Sequence, residues 1–537
     1  MKKMEILVRI LLALILVMAP LAGCASDGGT APSTPAPPPA TGTEDTPADT
    51  APEPPAGEDA LPRVDLKMFF PGENFTEEDM AEVQAEINSY LLGLLNATLE
   101  INPVPWGSWD TLYPVMLAAG EHADLFFTAS WNNHSVHAAN GAFNELTDLL
   151  NTYGQGILST IQDGYIDAAK ISGQLFAIPQ NKDMAQGYGL YVDKTVLSDA
   201  GYSVSDIKSL NDLTPVLAWV KENTDLVPFP VSLDVGGSYM STAAAVSEGI
   251  ADASKFEMGH DNWNGIIGFD VQSDKFVSMD PSNSQAWPAF AKLMKEWHDA
   301  GYFRPDFITD PSDQSMGMLA DGSTWMTISS DAPGRLESIQ QGSMNFNLDY
   351  IRLIAPLAST NSLTGSMTAI PIGSVDPARA MMVLDLLHTD AYLVNLINFG
   401  IEGKHYIQVG DGTITLPPGA GNRGDTGYGL DIWWEIGNAF LLKLWDTDLP
   451  DRWNVMKEFN ANTRRSVILG FNFDAANVDT EMAGVNNVWE QFRPLIVTGQ
   501  GDTEGFVTEM FDKMKAAGLD KIVEEYNSQY QAFKATR

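Results

Sequence analysis

The sequence predicts an α/β fold followed by a helical C-terminal region. Strand and helix patterns alternate from Val64 onward, which is typical of a parallel sheet covered by helices. The chain has 537 residues and is 44% hydrophobic, which is enough for two or three domains with large cores. Beyond residue 500, apolar residues recur at helical spacing, which predicts a helical end to the chain.

The first strand and helix are predicted at the start of this alternation. Residues 64–70 (VDLKMFF) are predicted to form a buried strand that Pro71 and Gly72 end. Thr76 can cap the next helix, because Asp79 follows it three residues later, as in a capping box. We expect the apolar face of that helix to comprise Met80, Val83, Ile87, Leu91 and Leu94.

Two more strands complete the predicted opening unit. A strand over residues 98–104, a helix over 110–119 and a strand over 123–127 follow in order. Strand–helix–strand–helix–strand order predicts parallel pairing. Right-handed crossovers then place the carboxyl ends of the strands at one edge of the sheet, where open α/β sheets bind ligands.

Later elements are predicted from shorter patterns. The predicted strands cover residues 187–192, 323–328, 350–356 and 369–372. The predicted helices cover residues 206–222 and 376–387, a segment marked by Phe506 and Met514, and a last segment from Leu519 to Phe533. Gly518 separates the last two helices.

The N-terminus carries the pattern of a secretion signal. Basic residues precede an apolar run at residues 10–19 that is too short to span a bilayer as a mature helix. Residues 21–24 (LAGC) resemble a bacterial lipobox. That resemblance implies a signal peptide over residues 1–23 and a diacylglyceryl group on the Cys24 thiol. An ordinary signal peptide with a chance cysteine, or an uncleaved anchor, are the alternatives.

Residues 24–62 are predicted to be a disordered linker behind the anchor. Residues 25–62 contain no lysine, arginine or aromatic residue, but ten of the chain's 31 prolines. Such a segment cannot bury enough apolar surface to offset its ordering entropy. Proline stiffens and extends it, so it would hold the body away from a membrane surface.

Charge and cysteine content exclude several classes of protein. The formal net charge is −39, which opposes binding to nucleic acid or to anionic lipid. No cysteine follows Cys24, so the body can form no disulfide. No later apolar run is long enough for a transmembrane helix. We therefore expect a monomeric body that meets the membrane through its lipid anchor alone.

Five sequence features together point to one family. They are the LAGC segment with its linker, the opening unit that leads to ADLFFT (123–128), GQLFAIP (173–179), GSTWM (322–326), and a C-terminal set of FGIEGKHY (399–406), GFNFD (470–474) and VNNV (485–488). This combination resembles an extracellular solute-binding protein of an ABC importer, of the subfamily with a DUF3502-type C-terminal domain. Phe176 replaces a common tyrosine, and Trp325 replaces a usual alanine.

The resemblance implies a two-lobed periplasmic-binding-protein-like fold with a ligand cleft, a sugar or oligosaccharide as solute, and ABC permease subunits as partners. Lobe I would comprise residues 63–178 and 356–400. Lobe II would comprise residues 179–355 and 401–537, including the helical C-terminal region. The chain would cross near Pro179, near Pro356 and around residues 399–404. The protein would sit on the outer face of a bacterial cell membrane.

A sugar cleft needs flat aromatic rings for stacking and polar side chains for hydrogen bonds to hydroxyls. The chain has 13 tryptophans, and some directly follow the second and third predicted strands. Trp131 is the leading candidate, because it follows the third strand and precedes two asparagines. The other candidate ligand-binding residues are Trp106, Trp109, Phe70, Gly72, Asn132, Tyr188, Trp325, Asp331, Glu402, Tyr406 and Trp434.

Some of these candidates have structural alternatives. Trp131 could cap the core. Glu402 and Tyr406 could serve in hinge packing or an ion pair with Lys404, which is the interpretation we favour. Of Trp433 and Trp434, we expect one to face the cleft and the other the core.

Other chemistry is only weakly indicated. His134 and His137 could ligate a metal, but no Cys or Glu set accompanies them. Asp446, Asp448 and Asp451 do not have the spacing of an EF-hand. No nucleophile elbow, phosphate loop or His-Glu-x-x-His motif occurs. We expect no catalytic residue, no metal and no cofactor.

Three functions compete on the sequence. The first is a lipid-anchored receptor that delivers a neutral carbohydrate to an ABC importer. The second is a surface glycoside hydrolase that uses two of the many carboxylates. The third is a receptor for a peptide or other organic solute, or one that reports its ligand to a sensor kinase. The C-terminal motifs and the lack of a catalytic signature favour the first.

Overall fold

The computed structural model describes residues 61–120, 122–230, 256–257, 265–304, 315–343 and 346–535. The predicted signal peptide, Cys24 and nearly all of the predicted linker lie outside the described residues. The candidate ligand-binding residues all lie within them.

Most of the described strands are short, and only four of them have eight or more residues. In chain order they are β1 (Val64–Pro71), β2 (Ala97–Val104), β3 (Leu125–Thr128), β4 (Ala177–Pro179), β5 (Gln186–Asp193), β6 (Phe256–Glu257), β7 (Ile267–Asp270), β8 (Lys275–Ser278), β9 (Met326–Asp331), β10 (Leu348–Ala358), β11 (Met367–Ala369), β12 (Ile407–Gly410), β13 (Thr413–Thr415), β14 (Leu444–Trp445) and β15 (Arg464–Arg465).

The described helices separate these strands and dominate the C-terminal part. They are α1 (Glu77–Leu95), α2 (Trp106–Ala119), α3 (His134–Ala139), α4 (Thr147–Tyr153), α5 (Gln155–Thr160), α6 (Tyr165–Ala168), α7 (Lys194–Asp199), α8 (Thr214–Asn223), α9 (Ala286–Ala300), α10 (Ser315–Asp321), α11 (Arg335–Gly342), α12 (Thr360–Thr364), α13 (Pro377–Thr389), α14 (Ala391–Phe399), α15 (Arg452–Asn462), α16 (Asp479–Val497), α17 (Thr503–Ala516) and α18 (Leu519–Ala535).

The opening unit forms the first sheet, with strand order β2-β1-β3-β11-β4. β1 pairs in parallel with β2 and with β3, so the predicted parallel arrangement is confirmed. β11 is antiparallel to both β3 and β4, which the sequence did not indicate. The carboxyl ends of β1, β2 and β3 therefore lie at one edge.

The first helix matches its prediction apart from one residue. The backbone N–H of Asp79 donates to Thr76 Oγ1 at 3.1 Å, which confirms Thr76 as the cap. Val83, Ile87 and Leu91 are buried, as predicted. Leu94 is 50% exposed, so its assignment to the apolar face is wrong. Leu95, four residues after Leu91, packs against the core instead.

The second sheet has the order β15-β10-β5-β9. Its central strand, β5, is antiparallel to both β10 and β9. Two chain segments connect the sheets: one runs from β4 to β5, and the other runs from β10 through α12 to β11. The first segment begins at Gln180, directly after the expected crossing at Pro179. The second includes Gly365, whereas Pro356, where a crossing was expected, lies within β10.

Two large groups of buried apolar side chains accompany the two sheets. The first core contains Leu66, Phe127 and Ile178 of the first sheet and much of α13 and α14. It also takes in side chains from Tyr406 to Trp445, which were expected in lobe II, so the chain does not leave the first core at residues 399–404. The second core contains Leu190 of β5 and the apolar faces of α9, α16, α17 and α18.

Several predicted ends of helices and strands are wrong because a nearby proline sets where the element begins or ends. The helix predicted over residues 206–222 begins at Thr214, because Pro215 fits only in a first turn. The strand predicted over 369–372 ends at Ala369, before Pro371, which lacks a backbone N–H. The helix predicted from Asp110 begins at Trp106, directly after Pro105.

No single helix among the described residues is long and apolar enough to cross a membrane. α13 and α14 are long and apolar enough only when taken together, and the two helices are bent by 86° to each other. Most of their side chains are buried in the first core.

Candidate functional site

The edge where the parallel strands end carries an exposed group of indole rings. Trp106 begins α2, just beyond β2, and Trp131 lies in a 3₁₀ turn just beyond β3. Trp434 comes from a distant loop and joins them. We call Trp106, Trp131 and Trp434 the aromatic patch.

The rings of the aromatic patch contact one another, and Trp106 stacks on Trp434. The centroid of Trp106 is 5.8 Å from that of Trp434, with the planes inclined by 21°. The centroid of Trp106 is 6.2 Å from that of Trp131, with the planes inclined by 31°. Trp106 is 39% exposed and Trp131 is 38% exposed. Large apolar rings are normally buried, so an exposed group of them is typical of a binding surface.

Buried groups hold the aromatic patch in place. The Trp131 indole N–H donates to the carbonyl oxygen of Gly365 at 2.7 Å. Ser366 Oγ donates to the carbonyl oxygen of Trp434 at 2.6 Å. The buried ring of Phe127 lies 5.9 Å from both Trp131 and Trp434. The indole N–H at the edge of Trp131 is already bonded to Gly365, and this hydrogen bond fixes the orientation of the ring faces.

Four candidates near the same edge are buried. Phe70 and Trp109 have no exposed surface, and Asn132 is 7% exposed. The Trp109 indole N–H donates to Asn132 Oδ1 at 3.1 Å, so these two side chains satisfy each other. A Cβ placed on Gly72 would lie 3.0 Å from Pro103 Cβ, which indicates a packing role. A bound solute would not reach these groups without a rearrangement.

The two neighbouring tryptophans have different surroundings. Trp434 belongs to the aromatic patch, whereas Trp433 lies beneath the guanidinium group of Arg452, whose Cζ is 4.3 Å from the ring centroid. Arg452 also donates to the carbonyl oxygen of Pro333. Trp433 therefore takes part in a contact between the first core and the loop beyond β9.

The candidates on the second sheet do not join the aromatic patch in any described contact. Trp325 has no exposed surface and donates its indole N–H to the carbonyl oxygen of Pro228 at 2.8 Å. Asp331 accepts from Arg352 Nε at 2.6 Å. Tyr188 lies on β5, opposite Ser330 of β9. Tyr188 and Asp331 therefore lie on adjacent strands of the second sheet.

Glu402 and Tyr406 take part in ion pairing and packing. Lys443 Nζ lies 3.2 Å from Glu402 Oε2 and 4.9 Å from the centroid of the Tyr406 ring. Lys404 Nζ lies 2.7 Å from Asp79 Oδ1, and its hydrogen bond lowers the pKa of Asp79 well below the usual range. These contacts support the alternative of hinge packing for this segment.

The sequence did not indicate that the carboxyl group next to Trp434 is buried. Glu435, next to Trp434, is 1% exposed, and its Oε2 has no hydrogen-bond partner among the described residues. Burial raises the pKa of Glu435 well above the ordinary value of 4.5. The side chain is therefore biased toward the neutral form. Only the fold reveals that this carboxyl is buried, because nothing in its local sequence does.

The chemistry of this site is that of recognition. Adjacent indole faces can stack on the apolar C–H face of a sugar ring. Among the described residues, no group of three or more His, Cys, Asp or Glu side chains is placed to hold a metal ion. The His134 ring stacks on Phe143, with 5.4 Å between their centroids.

Comparisons with known proteins agree with this picture. Residues 96–389, more than half of the chain, match the family described as bacterial extracellular solute-binding protein. Residues 467–535 match a domain of unknown function, DUF3502. A carbohydrate ABC transporter substrate-binding protein from Streptococcus pneumoniae serotype 4 is 26% identical over 477 residues, which is 87% of this chain and 90% of that protein.

Solved structures share the fold. An N-glycan transport solute binding protein from Streptococcus pneumoniae has a TM-score of 0.72 at 23% identity, covering 88% of this chain and 99% of its own. Its complex with Man5GlcNAc has a TM-score of 0.68 at 22% identity, covering 89% and 99%. An HMO-binding, ABC-transporter associated solute binding protein from Bifidobacterium longum infantis has a TM-score of 0.62 at 15% identity, covering 88% and 99%. This likeness confirms the predicted two-lobed fold.

Proposed function

The chain belongs to the family of bacterial extracellular solute-binding proteins, and we propose that it captures a carbohydrate on the aromatic patch and delivers it to an ABC importer. Proteins of this family bind their solute and do not convert it. The similar Streptococcus pneumoniae protein carries the name of a carbohydrate transporter component, which supports a sugar as the solute. The observation that carries the proposal is the group of three indole rings at the carboxyl edge of the first sheet, of which Trp106 and Trp131 are exposed.

An oligosaccharide fits the aromatic patch better than a single sugar. Three rings whose neighbouring centroids lie about 6 Å apart offer a surface wider than one pyranose, so adjacent sugar units could each find a ring face. The N-glycan transport protein has been solved with Man1GlcNAc and with Man5GlcNAc. We therefore take the solute to be an oligosaccharide of that general kind.

We further propose that the solute draws the two lobes together about the segments at Gln180 and Gly365. A ligand closes a cleft only through its better contacts with the closed form. The bond from Trp131 to Gly365 links the patch directly to one of these segments. Small-angle scattering should show a smaller radius of gyration when solute saturates the protein, and an unchanged radius would refute closure.

The lipid anchor is part of the same proposal. Extracellular proteins of this family must stay near their permease, and acylation of Cys24 behind an extended linker would achieve that. Cys24→Ser should move the protein from the membrane to the soluble fraction of cells. Retention of that variant in the membrane would mean that another segment anchors it. We also propose a monomer, which light scattering of the released protein can check.

A calorimetric titration series tests the central proposal. Man1GlcNAc, Man5GlcNAc, kestose and an anionic alginate oligosaccharide are titrated into the protein from residue 63 onward, and each mixture is then analysed for cleaved glycan. We expect a neutral oligosaccharide to bind and to remain intact. Cleavage of a glycan would favour a hydrolase, and failure of all four to bind would overturn the proposed ligand class.

A further inference from the structure

Two adjacent residues, Gly365 and Ser366, are bonded to two of the three tryptophans of the aromatic patch. Both residues lie between α12 and β11, on the second of the two segments that connect the sheets. The carbonyl oxygen of Gly365 accepts from the Trp131 indole N–H at 2.7 Å. The Ser366 hydroxyl donates to the carbonyl oxygen of Trp434 at 2.6 Å. One dipeptide therefore links Trp131, which follows β3, to Trp434, which comes from a loop far away in sequence.

The same dipeptide is bonded to the first connecting segment. The backbone N–H of Gln180 donates to the carbonyl oxygen of Ser366 at 3.1 Å. The side-chain amide of Gln180 donates to Thr368 Oγ1, just beyond the dipeptide, at 2.7 Å. Ser366 and Gln180 are buried, so these hydrogen bonds lie in a low-dielectric interior that strengthens them. The two connecting segments are therefore joined where they reach the first sheet, and Ser366 lies at that junction.

The loop that carries Trp434 is bonded to the junction at a second place. The backbone N–H of Asn181, the residue after Gln180, donates to the carbonyl oxygen of Gly437 at 2.9 Å. The backbone N–H of Ala439 donates to the carbonyl oxygen of Asn181, also at 2.9 Å. These two backbone bonds hold the far end of the loop against the first connecting segment. The loop is therefore attached to both connecting segments at once.

The contacts of Trp434 itself place its ring in the aromatic patch. They include the Ser366 bond and the ring contacts with Trp106 and Phe127. The stacking of Trp434 on Trp106 depends on the offset and tilt of the two rings. A binding group must be held by its neighbours to within about 0.5 Å of its working position. A hydrogen bond to the backbone of Trp434 therefore helps to set the surface that the two stacked rings present.

We propose that Ser366 is a positioning residue for solute binding, whose hydroxyl holds Trp434 in place beside Trp106 and Trp131. Ser366 has no exposed surface, so it acts through the ring of Trp434 and does not touch the solute. The proposal rests on the proposed function, since it requires that the aromatic patch binds the solute. It makes the junction of the two connecting segments the support on which the patch is assembled.

Ser366→Ala tests the proposal, because it removes the hydroxyl and leaves every ring of the aromatic patch in the chain. Calorimetric titration uses the neutral glycan that binds the unmodified protein most tightly in the titration series. We expect affinity weakened about fivefold, the usual effect of one hydrogen bond. Unchanged affinity in Ser366→Ala would overturn the positioning role and leave the proposed function intact. Failure of the unmodified protein to bind any glycan of the series would overturn both.

A double-mutant cycle shows whether Ser366 acts through the ring of Trp434. Trp434→Ala removes the ring and keeps the backbone carbonyl oxygen that accepts the Ser366 bond. We expect Trp434→Ala alone and Trp434→Ala combined with Ser366→Ala to bind the glycan with equal affinity, because the hydroxyl then has no ring to position. Losses that add up in the combined variant would show that Ser366 affects binding by another route, and would overturn the proposal.

Ser362→Ala is the matched control. Ser362 lies in α12 on the same connecting segment, is 6% exposed, and bonds through its hydroxyl to the carbonyl oxygen of Met184 at 3.0 Å. This variant also removes a buried serine hydroxyl that links the two connecting segments, but not one that is bonded to Trp434. We expect a lower melting temperature and unchanged glycan affinity. Equal losses of affinity in Ser362→Ala and Ser366→Ala would mean that loosening of the segments weakens binding, and would overturn the proposal.

Discussion

Two groups of aromatic rings in this protein differ in their exposure to solvent. The aromatic patch exposes more than a third of Trp106 and of Trp131 at the edge of the first sheet. The aromatic core cluster, which comprises Phe276, Phe471, Phe473, Tyr526 and Tyr530, exposes at most 9% of any ring. Within it, Phe473 and Tyr526 stack at 3.7 Å with planes inclined by 4°.

This difference shows that position, rather than residue type, decides what a ring does. The core cluster gains its stability from burial between β8 and the C-terminal helices. The patch gains no stability from burial of its exposed faces, and we propose that solute binding explains their exposure. If so, substitutions in the core cluster should change stability, and substitutions in the patch should change affinity.

The largest effect is expected from Phe276→Ala. Phe276 is 1% exposed and contacts Phe269, Phe471 and Tyr526. Removing a buried phenylalanine ring costs about 3–5 kcal/mol of unfolding free energy. Urea unfolding measures this loss. Solute affinity of the fraction that remains folded should be unchanged, and a stable variant with weakened binding would reverse the roles of the two ring groups.

Trp131→Ala should have the opposite signature. Loss of an aromatic anchor costs about 2 kcal/mol or more in binding, which is over tenfold in affinity. The free protein should lose less stability than Phe276→Ala does, because the Trp131 ring is 38% exposed and loses only its bond to Gly365 and its contacts with Trp106 and Phe127. Calorimetric titration and thermal melting of both variants give the comparison. A large loss of stability with intact affinity would assign Trp131 to the core.

Glu435→Gln tests whether the buried carboxyl group next to Trp434 is neutral in the folded protein. Burial raises the pKa of Glu435 in the folded protein above the value of 4.5, so the unfolded chain releases this proton first. Unfolding free energy should therefore fall as pH rises above 4.5, by at most about 1.4 kcal/mol per pH unit, until the folded-state pKa is reached. Urea unfolding at several pH values should show a flatter profile for the variant. Parallel profiles would mean that Glu435 is already ionised.

Lys404→Met should have the smallest effect on binding. Lys404 pairs with Asp79 and Glu82 on α1, and its side chain is well exposed. Exposed ion pairs contribute little to stability. We expect unchanged solute affinity by calorimetry, whereas a clear loss would place the segment at residues 399–406 in the binding cleft.

The sequence predicted the parallel opening unit because periodicity and capping are local signals. Thr76 and the buried face of α1 follow from spacing alone. The number of tryptophans was a poor guide to the binding site. Several are among the largest fully buried side chains, namely Trp109, Trp287, Trp297, Trp325 and Trp489. Which ring is exposed depends on contacts across hundreds of residues, such as the bond from Trp131 to Gly365. No pattern within a short window carries that information.

A structure of the protein crystallised with Man5GlcNAc, or with the best-binding neutral glycan of the titration series, tests the central claim most directly. The account predicts a sugar ring stacked on the aromatic patch, with its C–H face over the rings of Trp106, Trp131 or Trp434. A glycan bound elsewhere, with the patch left bare, would contradict it.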